Sequence, residues 1–197
     1  MAFDLGGALR SLKPQRRSAG LERRPDSALS WAGDQSPVGG VLLLDTSVYL
    51  DVLQGRTPEA VDNLLTYRLC HHSAVCLAEL SHVFGRLDPA HPTTKSVPGA
   101  VADTIEDIPA HRLHAPDANA WERAGMLAGL LFRLNHLPKG EGHERRFLND
   151  ALIFHQAGML GATVLTGNVG DFDYLSQLVP SVRVIFYRAA PGLRPQA

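Results

Sequence analysis

Hydrophobic and polar residues alternate in different ways on the two sides of residue 41. Residues 1–40 show no sustained helical or strand periodicity and are interrupted repeatedly by glycine and proline, apart from a short helix compatible with 4–12. From Val41 onward, short aliphatic runs alternate with stretches of helical periodicity. The pattern predicts a mostly disordered, flexible N-terminal extension over 1–40, a folded domain over 41–187 and a flexible C-terminal tail over 188–197.

The aliphatic runs of the folded part are typical of buried strands. Residues 41–44 are continuously apolar, as expected of a strand covered on both faces of a parallel sheet. Further strands are predicted at 73–76, 112–114, 163–166 and 182–187, and helices at about 57–69, 77–84, 99–107, 117–134, 147–160 and 172–178, with a proline-rich loop over 85–98. Strands that alternate with helices predict an α/β fold, a three-layer sandwich around a mainly parallel central sheet.

Length and composition predict a single globular domain. The chain has 197 residues, of which 45% are hydrophobic and 20% charged, enough to bury a sizeable core. We find neither an apolar run long enough to span a bilayer nor the pattern of a secretory signal. The two cysteines do not make a disulfide framework. We therefore expect a cytoplasmic protein without a membrane partner.

The distribution of charge limits how the domain can meet nucleic acid. The net charge is −1, but residues 1–40 carry six basic and four acidic side chains, so the remaining 157 residues carry a net charge of −3. A body of that sign has no strong global attraction for a polyanion. A nucleic-acid substrate therefore needs a local basic strip or a bound metal ion.

Four acidic residues lie at or near the ends of predicted strands. Asp45 directly follows the first strand, Glu79 opens the helix after the second, and Asp171 follows Thr166 by five residues. Asp150 lies in the first turn of the helix that leads to the strand at 163–166. Ligands bind beyond the carboxyl ends of the strands in such sheets, so these positions are candidates for chemistry.

Each of these carboxylates, taken alone, is also explained by helix capping or by the helix dipole. Glu79 and Asp150 fit that explanation less well, because their neighbours three and four positions along the helix are apolar or weakly polar. No lysine or arginine lies within four residues of Asp45 or Glu79, and only Arg146 is that close to Asp150. An external cation is therefore a natural partner, and oxygen ligands favour Mg²⁺ or Mn²⁺ over zinc.

The segments around these residues resemble a known family. Leu43-Leu44-Asp45-Thr46-Ser47-Val48, Ala78-Glu79-Leu80, Asn149-Asp150-Ala151-Leu152-Ile153 and Thr166-x-Asn168-x-x-Asp171-Phe172 are similar to the four acidic motifs of PIN-domain ribonucleases, in order and with ordinary separations. The nearest similarity is to the VapC-like toxins of type II toxin–antitoxin pairs, and it extends over about 41–187. Single motifs are weak signals, whereas four in register are a strong one.

The resemblance implies a metal-dependent endoribonuclease, with a small antitoxin and a second copy of the chain as further partners. It implies that Asp45, Glu79, Asp150 and Asp171 hold Mg²⁺ or Mn²⁺ and carry the catalysis, with Asp173 and Asn168 as second-tier metal candidates. Substrate binding is expected from two hydroxyl residues after the first strand and from a basic strip before Asp150, namely Thr46, Ser47, Arg133, Lys139, Arg145 and Arg146.

Two alternatives remain open at this point. A phosphatase of the haloacid-dehalogenase type also places Asp after an aliphatic strand, but it expects a second Asp two residues later, where this chain has Ser47. A non-catalytic module with a PIN fold that binds RNA or protein through residues 1–40 is the other. Acidic residues at all four motif positions favour the nuclease over that module.

Overall fold

The structure, a computed structural model, describes residues 4–86, 97–135 and 143–191. Most of the expected loop over 85–98 and of the expected tail over 188–197 lies outside these ranges. Helices and strands follow one another along the chain as α1 (Leu5–Leu12), β1 (Leu42–Leu44), α2 (Thr46–Leu53), α3 (Glu59–Tyr67), β2 (Cys70–Ser73), α4 (Ala74–Arg86), α5 (Val97–Glu106), β3 (Leu113–His114), α6 (Ala118–Leu134), α7 (His143–Leu160), β4 (Thr163–Thr166), α8 (Val169–Leu178) and β5 (Val184–Phe186).

The five strands form one parallel sheet in the order β3-β2-β1-β4-β5. The chain enters at the central strand β1, extends to one edge through β2 and β3, and returns to β4 on the other side of β1. Leu42 pairs with Cys70 on one side and with Thr163 on the other. The strand order therefore reverses between β1 and β4, where α/β sheets open a crevice for ligands.

The sheet is largely buried because β1 and β5 are apolar throughout and β4 is apolar between its terminal residues Thr163 and Thr166. All residues of β1, β4 and β5 are buried. Such strands lack the polar face that an antiparallel sheet turns toward water, so they require cover on both sides. Helices flank the sheet: α7 packs against β1 and β4, α4 against β2, and α8 against β5. The predicted α/β architecture around a parallel sheet is confirmed.

Several elements differ from the sequence prediction. Helix α2 was not predicted, and α8 begins at Val169 rather than at 172, so that Asp171 lies in its first turn.

Two further differences concern Glu79 and Asp150. The second strand was expected at 73–76 but ends at Ser73, whose hydroxyl accepts a hydrogen bond from the Val75 amide (3.1 Å) and opens α4. Glu79 therefore lies in the second turn of α4. Helix α7 begins at His143, four residues earlier than expected, because the charged residues before Phe147 are compatible with a helix. Asp150 thus lies inside α7, not in its first turn.

The prediction of a disordered extension over 1–40 differs from the structure, in which residues 4–40, here called the N-terminal segment, pack on the domain. The Ser30 carbonyl accepts from the Phe186 amide (2.8 Å), and Trp31 forms a parallel bridge with Phe186 that covers the free edge of β5. Leu12 and Leu29 belong to the hydrophobic core. These anchors are sparse and aperiodic, so no local sequence pattern reports them.

Within the described ranges, no helix has the length and apolar character needed to cross a membrane.

Candidate active site

The acidic residues meet at the carboxyl ends of β1 and β4. Asp45 follows the last residue of β1 and forms the N-cap of α2, and its amide donates to the Leu165 carbonyl of β4 (3.1 Å). Thr166 ends β4, and Asn168 is the N-cap of α8. The site therefore lies at the reversal of strand order, as the topology leads us to expect.

Asp45 is buried and oriented by hydroxyl groups. Its Oδ2 accepts from Ser47 Oγ (2.6 Å) and from Thr166 Oγ1 (2.8 Å). Only 3% of the residue is exposed. Burial raises the pKa of Asp45, an effect that these two hydroxyl donors oppose and the negative charge of Glu79 reinforces. No basic side chain forms a hydrogen bond or ion pair with Asp45 in the described part of the chain.

Glu79 reaches the same place from α4. Its Oε2 accepts from the Thr46 hydroxyl and its Oε1 from Asn149 Nδ2 (2.7 Å). Thr46 follows Asp45 in α2, and Asn149 precedes Asp150 in α7. The two hydrogen bonds therefore tie the carboxylate of Glu79 to the elements that carry the other acids.

Asp150 and Asp171 share a single amide donor. Asn168 Nδ2 donates to Asp150 Oδ2 (3.2 Å) and to Asp171 Oδ2 (3.0 Å). The pKa of Asp150 lies well above its ordinary value, first because the group is buried and then because the negative charges of Asp45, Asp171 and Glu79 repel its charged form. The four predicted acidic residues are thus close enough to influence one another.

Arg146 is the basic residue that contacts this acidic group. Its Nε donates to Asp171 Oδ2 (2.8 Å), and its Nη2 also donates to that oxygen. The arginine side chain is 59% exposed, whereas that of Asp171 is 7% exposed. One exposed guanidinium group therefore contacts one of the four carboxylates, and among the described residues no other basic side chain pairs with them.

The second-tier candidate Asp173 does not share this site. Its Oδ2 accepts from the Arg24 amide (2.8 Å) and its Oδ1 from Arg24 Nε (2.6 Å). Gln177 Nε2 also donates to Oδ2 (3.1 Å). Both oxygens of this fully buried carboxylate are therefore used to hold the N-terminal segment on α8, which corrects its assignment as a metal candidate.

The expected basic strip is divided by the structure. Arg133 Nη2 donates to the carbonyls of Pro14 (2.7 Å) and Arg17 (3.0 Å), so it anchors the N-terminal segment to α6 instead of facing the acidic residues. Lys139 lies outside the described residues, as does the side chain of Arg145. Of this strip, only Arg146 is placed at the site.

The donor set suits a hard divalent cation, although its members are not converged. In the part of the chain that the structure describes, no group of three or more His, Cys, Asp or Glu side chains is arranged to hold a metal ion. The carboxylates instead accept hydrogen bonds from the hydroxyl, amide and guanidinium groups around them. Carboxylate oxygens are nevertheless the ligands that Mg²⁺ and Mn²⁺ take, and the mutual repulsion around Asp150 is what a bound cation relieves.

Two residues of the site were not selected from the sequence. Thr166 orients Asp45 across the β1–β4 junction, and Asn149 orients Glu79. Both lie inside the acidic motifs, directly at the end of β4 and directly before Asp150. Their position beside the carboxylates was the available signal, but a side-chain hydrogen bond between elements is not visible in a linear sequence.

No family model matches the sequence. Nor does any curated protein. Solved structures do match in fold. A chain of VapBC2 from Rickettsia felis, bound to a promoter DNA fragment, has a TM-score of 0.51 at 15% identity over 75% of this chain and 98% of its own. A chain of FitAcB from Neisseria gonorrhoeae has a TM-score of 0.51 at 22% identity, over 73% of this chain and 96% of its own. A chain of VapBC-5, a toxin–antitoxin system from Mycobacterium tuberculosis, has a TM-score of 0.51 at 20% identity, over 76% of this chain and 100% of its own. The expected PIN-like fold, and with it the similarity to VapC-like toxins at the level of the fold, is confirmed.

Proposed function

We propose that this protein is a divalent-cation-dependent endoribonuclease that hydrolyses RNA phosphodiester bonds. The observation that carries the proposal is the group formed by Asp45, Glu79, Asp150 and Asp171 at the reversal of strand order. Burial and mutual repulsion raise the pKa of Asp150 there, and Arg146 is the single basic side chain in contact among the described residues. A site of this charge favours cations and, through them, phosphate groups.

In this proposal the four carboxylates hold Mg²⁺ or Mn²⁺, directly or through water. When bound, the cation polarises the phosphodiester and supplies a more acidic water for in-line attack. Ser47 and Thr166 keep Asp45 oriented by donating to its Oδ2. Asn168 keeps Asp150 and Asp171 together through its amide group. These contacts orient the ligand oxygens, and their loss weakens a metal site.

Contacts with the substrate are assigned to groups at the rim of the site. Arg146 is more than half exposed, so it can leave Asp171 and contact an RNA phosphate once a cation neutralises the carboxylates. Arg145 and Lys139 precede it in the chain and remain proposed phosphate contacts. Thr46 and Ser47 donate their hydroxyl hydrogens to Glu79 and Asp45, so we propose that their oxygens contact substrate as hydrogen-bond acceptors.

A partner protein is part of the proposal. The matched structures are VapBC2, FitAcB and VapBC-5, of which the last is a member of the VapBC family of toxin–antitoxin systems. We propose that this chain acts as the toxin of such a pair, with a small antitoxin as inhibitor, and that it forms a homodimer. We propose that this activity is cytoplasmic.

The proposal is tested with the purified full chain and a labelled single-stranded RNA pool of random sequence. We expect cleavage with Mn²⁺ and none with EDTA. Asp45→Asn and Asp150→Asn are each expected to lower the rate by at least about 100-fold, because each removes a charged ligand oxygen. Asp103→Asn, the same change at an exposed position of α5, serves as the matched control. Mn²⁺ titration calorimetry of the same variants gives a readout that needs no knowledge of the substrate.

A non-catalytic module with the same fold is the second candidate, and two observations favour it. Arg146 already neutralises Asp171, and the carboxylates are not converged on a common point. If the chain is such a module, we expect equal Mn²⁺ affinity in wild type and in the Asp45→Asn, Asp150→Asn double variant. We also expect the affinity for RNA to be the same with and without EDTA. Equal Mn²⁺ binding by two folded proteins would contradict the nuclease proposal.

A further inference from the structure

A polar cavity lies along β5, at one edge of the sheet. It has a volume of ≈ 320 Å³ and is lined by Gly40, by Thr163 at the amino end of β4 and by all three residues of β5. The N-terminal segment closes another side through Ser30 and Gln35. None of the four acidic residues lines this cavity.

The charged groups of this cavity are all basic. Arg24, Arg68 and Arg183 line it, and none of its lining residues in the described part of the chain is Asp or Glu. The charge of Arg24 is balanced by the ion pair with Asp173. Arg68 donates only to main-chain carbonyls of the N-terminal segment, at Ser36 and Pro37, so its charge is not balanced.

Arg183 is the least constrained of the three. It is exposed, and no hydrogen bond or ion pair of its side chain is formed with any described residue. Two unbalanced positive charges therefore line one cavity. Arg68 is already held in place by the two carbonyls, which reduces the entropy lost when its remaining donors bind a ligand.

We propose that this cavity binds a phosphate monoester, with Arg68 and Arg183 as its principal contacts and Arg24 as a third donor. A phosphate monoester carries about −1.5 to −2 charges at neutral pH, which matches the two unbalanced arginines. Guanidinium groups suit its oxygens because they donate two parallel hydrogen bonds. The volume exceeds what phosphate alone fills and lies at the lower end of the range for small-ligand sites, so it has room for a nucleoside.

The same chemistry has two sources, a free nucleotide and the 5′-phosphorylated end of an RNA. Calorimetry on the full chain in EDTA uses adenosine 5′-monophosphate, adenosine, and a short RNA with a 5′-phosphate or a 5′-hydroxyl group. We expect adenosine 5′-monophosphate to bind and adenosine not to bind. Binding of the 5′-phosphorylated RNA but not its 5′-hydroxyl form identifies an RNA end as a ligand, and binding of the nucleotide alone identifies a small molecule.

Arg183→Gln is the first variant, because Arg183 has no partner in the described fold whose loss would destabilise the protein. We expect it to weaken binding of adenosine 5′-monophosphate by about tenfold, since it removes one charged hydrogen-bonding group. Arg68→Gln is expected to weaken binding similarly. Arg10→Gln makes the same change of charge on a side chain that is 78% exposed and lies outside the cavity lining. It is expected to bind like wild type.

Three results would overturn the proposal. They are no binding of either phosphorylated probe at millimolar concentration, equal weakening by Arg10→Gln and Arg183→Gln, and equal binding of adenosine and adenosine 5′-monophosphate. Because EDTA removes any divalent cation, these results do not depend on whether the acidic site cleaves RNA. Failure of the nuclease proposal and failure of this one are therefore separately observable.

Discussion

Asp150 and Asp173 are both buried aspartates, yet their surroundings are opposite in charge. Asp173 accepts from the main chain and side chain of Arg24, and its charge is balanced. Asp150 accepts from the neutral amide of Asn168 and faces the negative charges of three other carboxylates. A paired buried charge holds structure together, whereas a buried charge left among like charges is retained at a cost in stability and marks a functional site.

Replacing Arg24 is the most direct test of the contrast between Asp150 and Asp173. Arg24→Ala leaves the carboxylate of Asp173 buried without its cation, and we expect it to lower the free energy of unfolding by about 2–4 kcal/mol. Urea denaturation measures this effect. Arg23→Ala is the matched control, because the neighbouring arginine pairs with Asp26 at the surface and should change stability little. Equal effects of the two substitutions would show that Asp173 does not depend on its ion pair.

Asp150→Asn is expected to act in the opposite direction. The amide keeps the shape of the side chain and removes a charge that its neighbours repel, so the free energy of unfolding in EDTA should rise by about 1–2 kcal/mol. Asp173→Asn should lower it, because that change leaves Arg24 without its partner. Urea denaturation of both variants checks the signs, and a loss of stability in Asp150→Asn would contradict the repulsion described here.

The pH dependence of the free energy of unfolding is a further test of the unpaired state of Asp150. The pKa of folded Asp150 is raised above the ordinary value of 3.8, so between that value and the raised one the folded state holds more protons than the unfolded state. Stability from this group therefore falls as pH rises. The advantage of Asp150→Asn over wild type should grow from about pH 4 upward and level off above the raised pKa. Urea denaturation in EDTA at a series of pH values measures this difference.

The free energy of unfolding of wild type must be subtracted from that of Asp150→Asn at each pH, because other groups change stability with pH in the opposite direction. Burial lowers the pKa of His71, His72 and His155, so stability from these histidines is lost as pH falls. They are common to both proteins and cancel in the difference. A difference that stays constant with pH would contradict a raised pKa for Asp150.

The smallest expected effect concerns Arg133, which the sequence assigned to substrate and the structure assigns to the N-terminal segment. Arg133→Ala removes two hydrogen bonds to main-chain carbonyls at an exposed position, worth about 1 kcal/mol or less. We expect faster tryptic cleavage near Arg16 and Arg17 and an unchanged affinity for RNA. Weaker RNA binding with an unchanged cleavage rate would restore Arg133 to the basic strip.

The amino-acid sequence by itself determined the architecture, and the resemblance of its motifs to those of PIN-domain ribonucleases indicated the four acidic positions. Continuous apolar runs such as 41–44 require burial on both faces, and alternation with helices leads to a parallel sheet. In such a sheet, carboxylates such as Asp45 that follow strands meet at one end. These are local patterns combined with one topological rule, so no knowledge of distant contacts is needed. The boundary of β2 was missed because its two central residues, His71 and His72, are polar, so that the strand lacks an apolar run.

Only the tertiary structure decided which charges are paired. Arg24 and Asp173 are separated by 149 residues, and Arg133 and Pro14 by 119. No local period relates such residues, and the free energy of a buried charge depends on which groups the fold brings beside it. The same reason explains why residues 4–40 read as a solvated extension. Their anchors are single side chains and main-chain carbonyls, whose partners exist only after the sheet and α8 have formed.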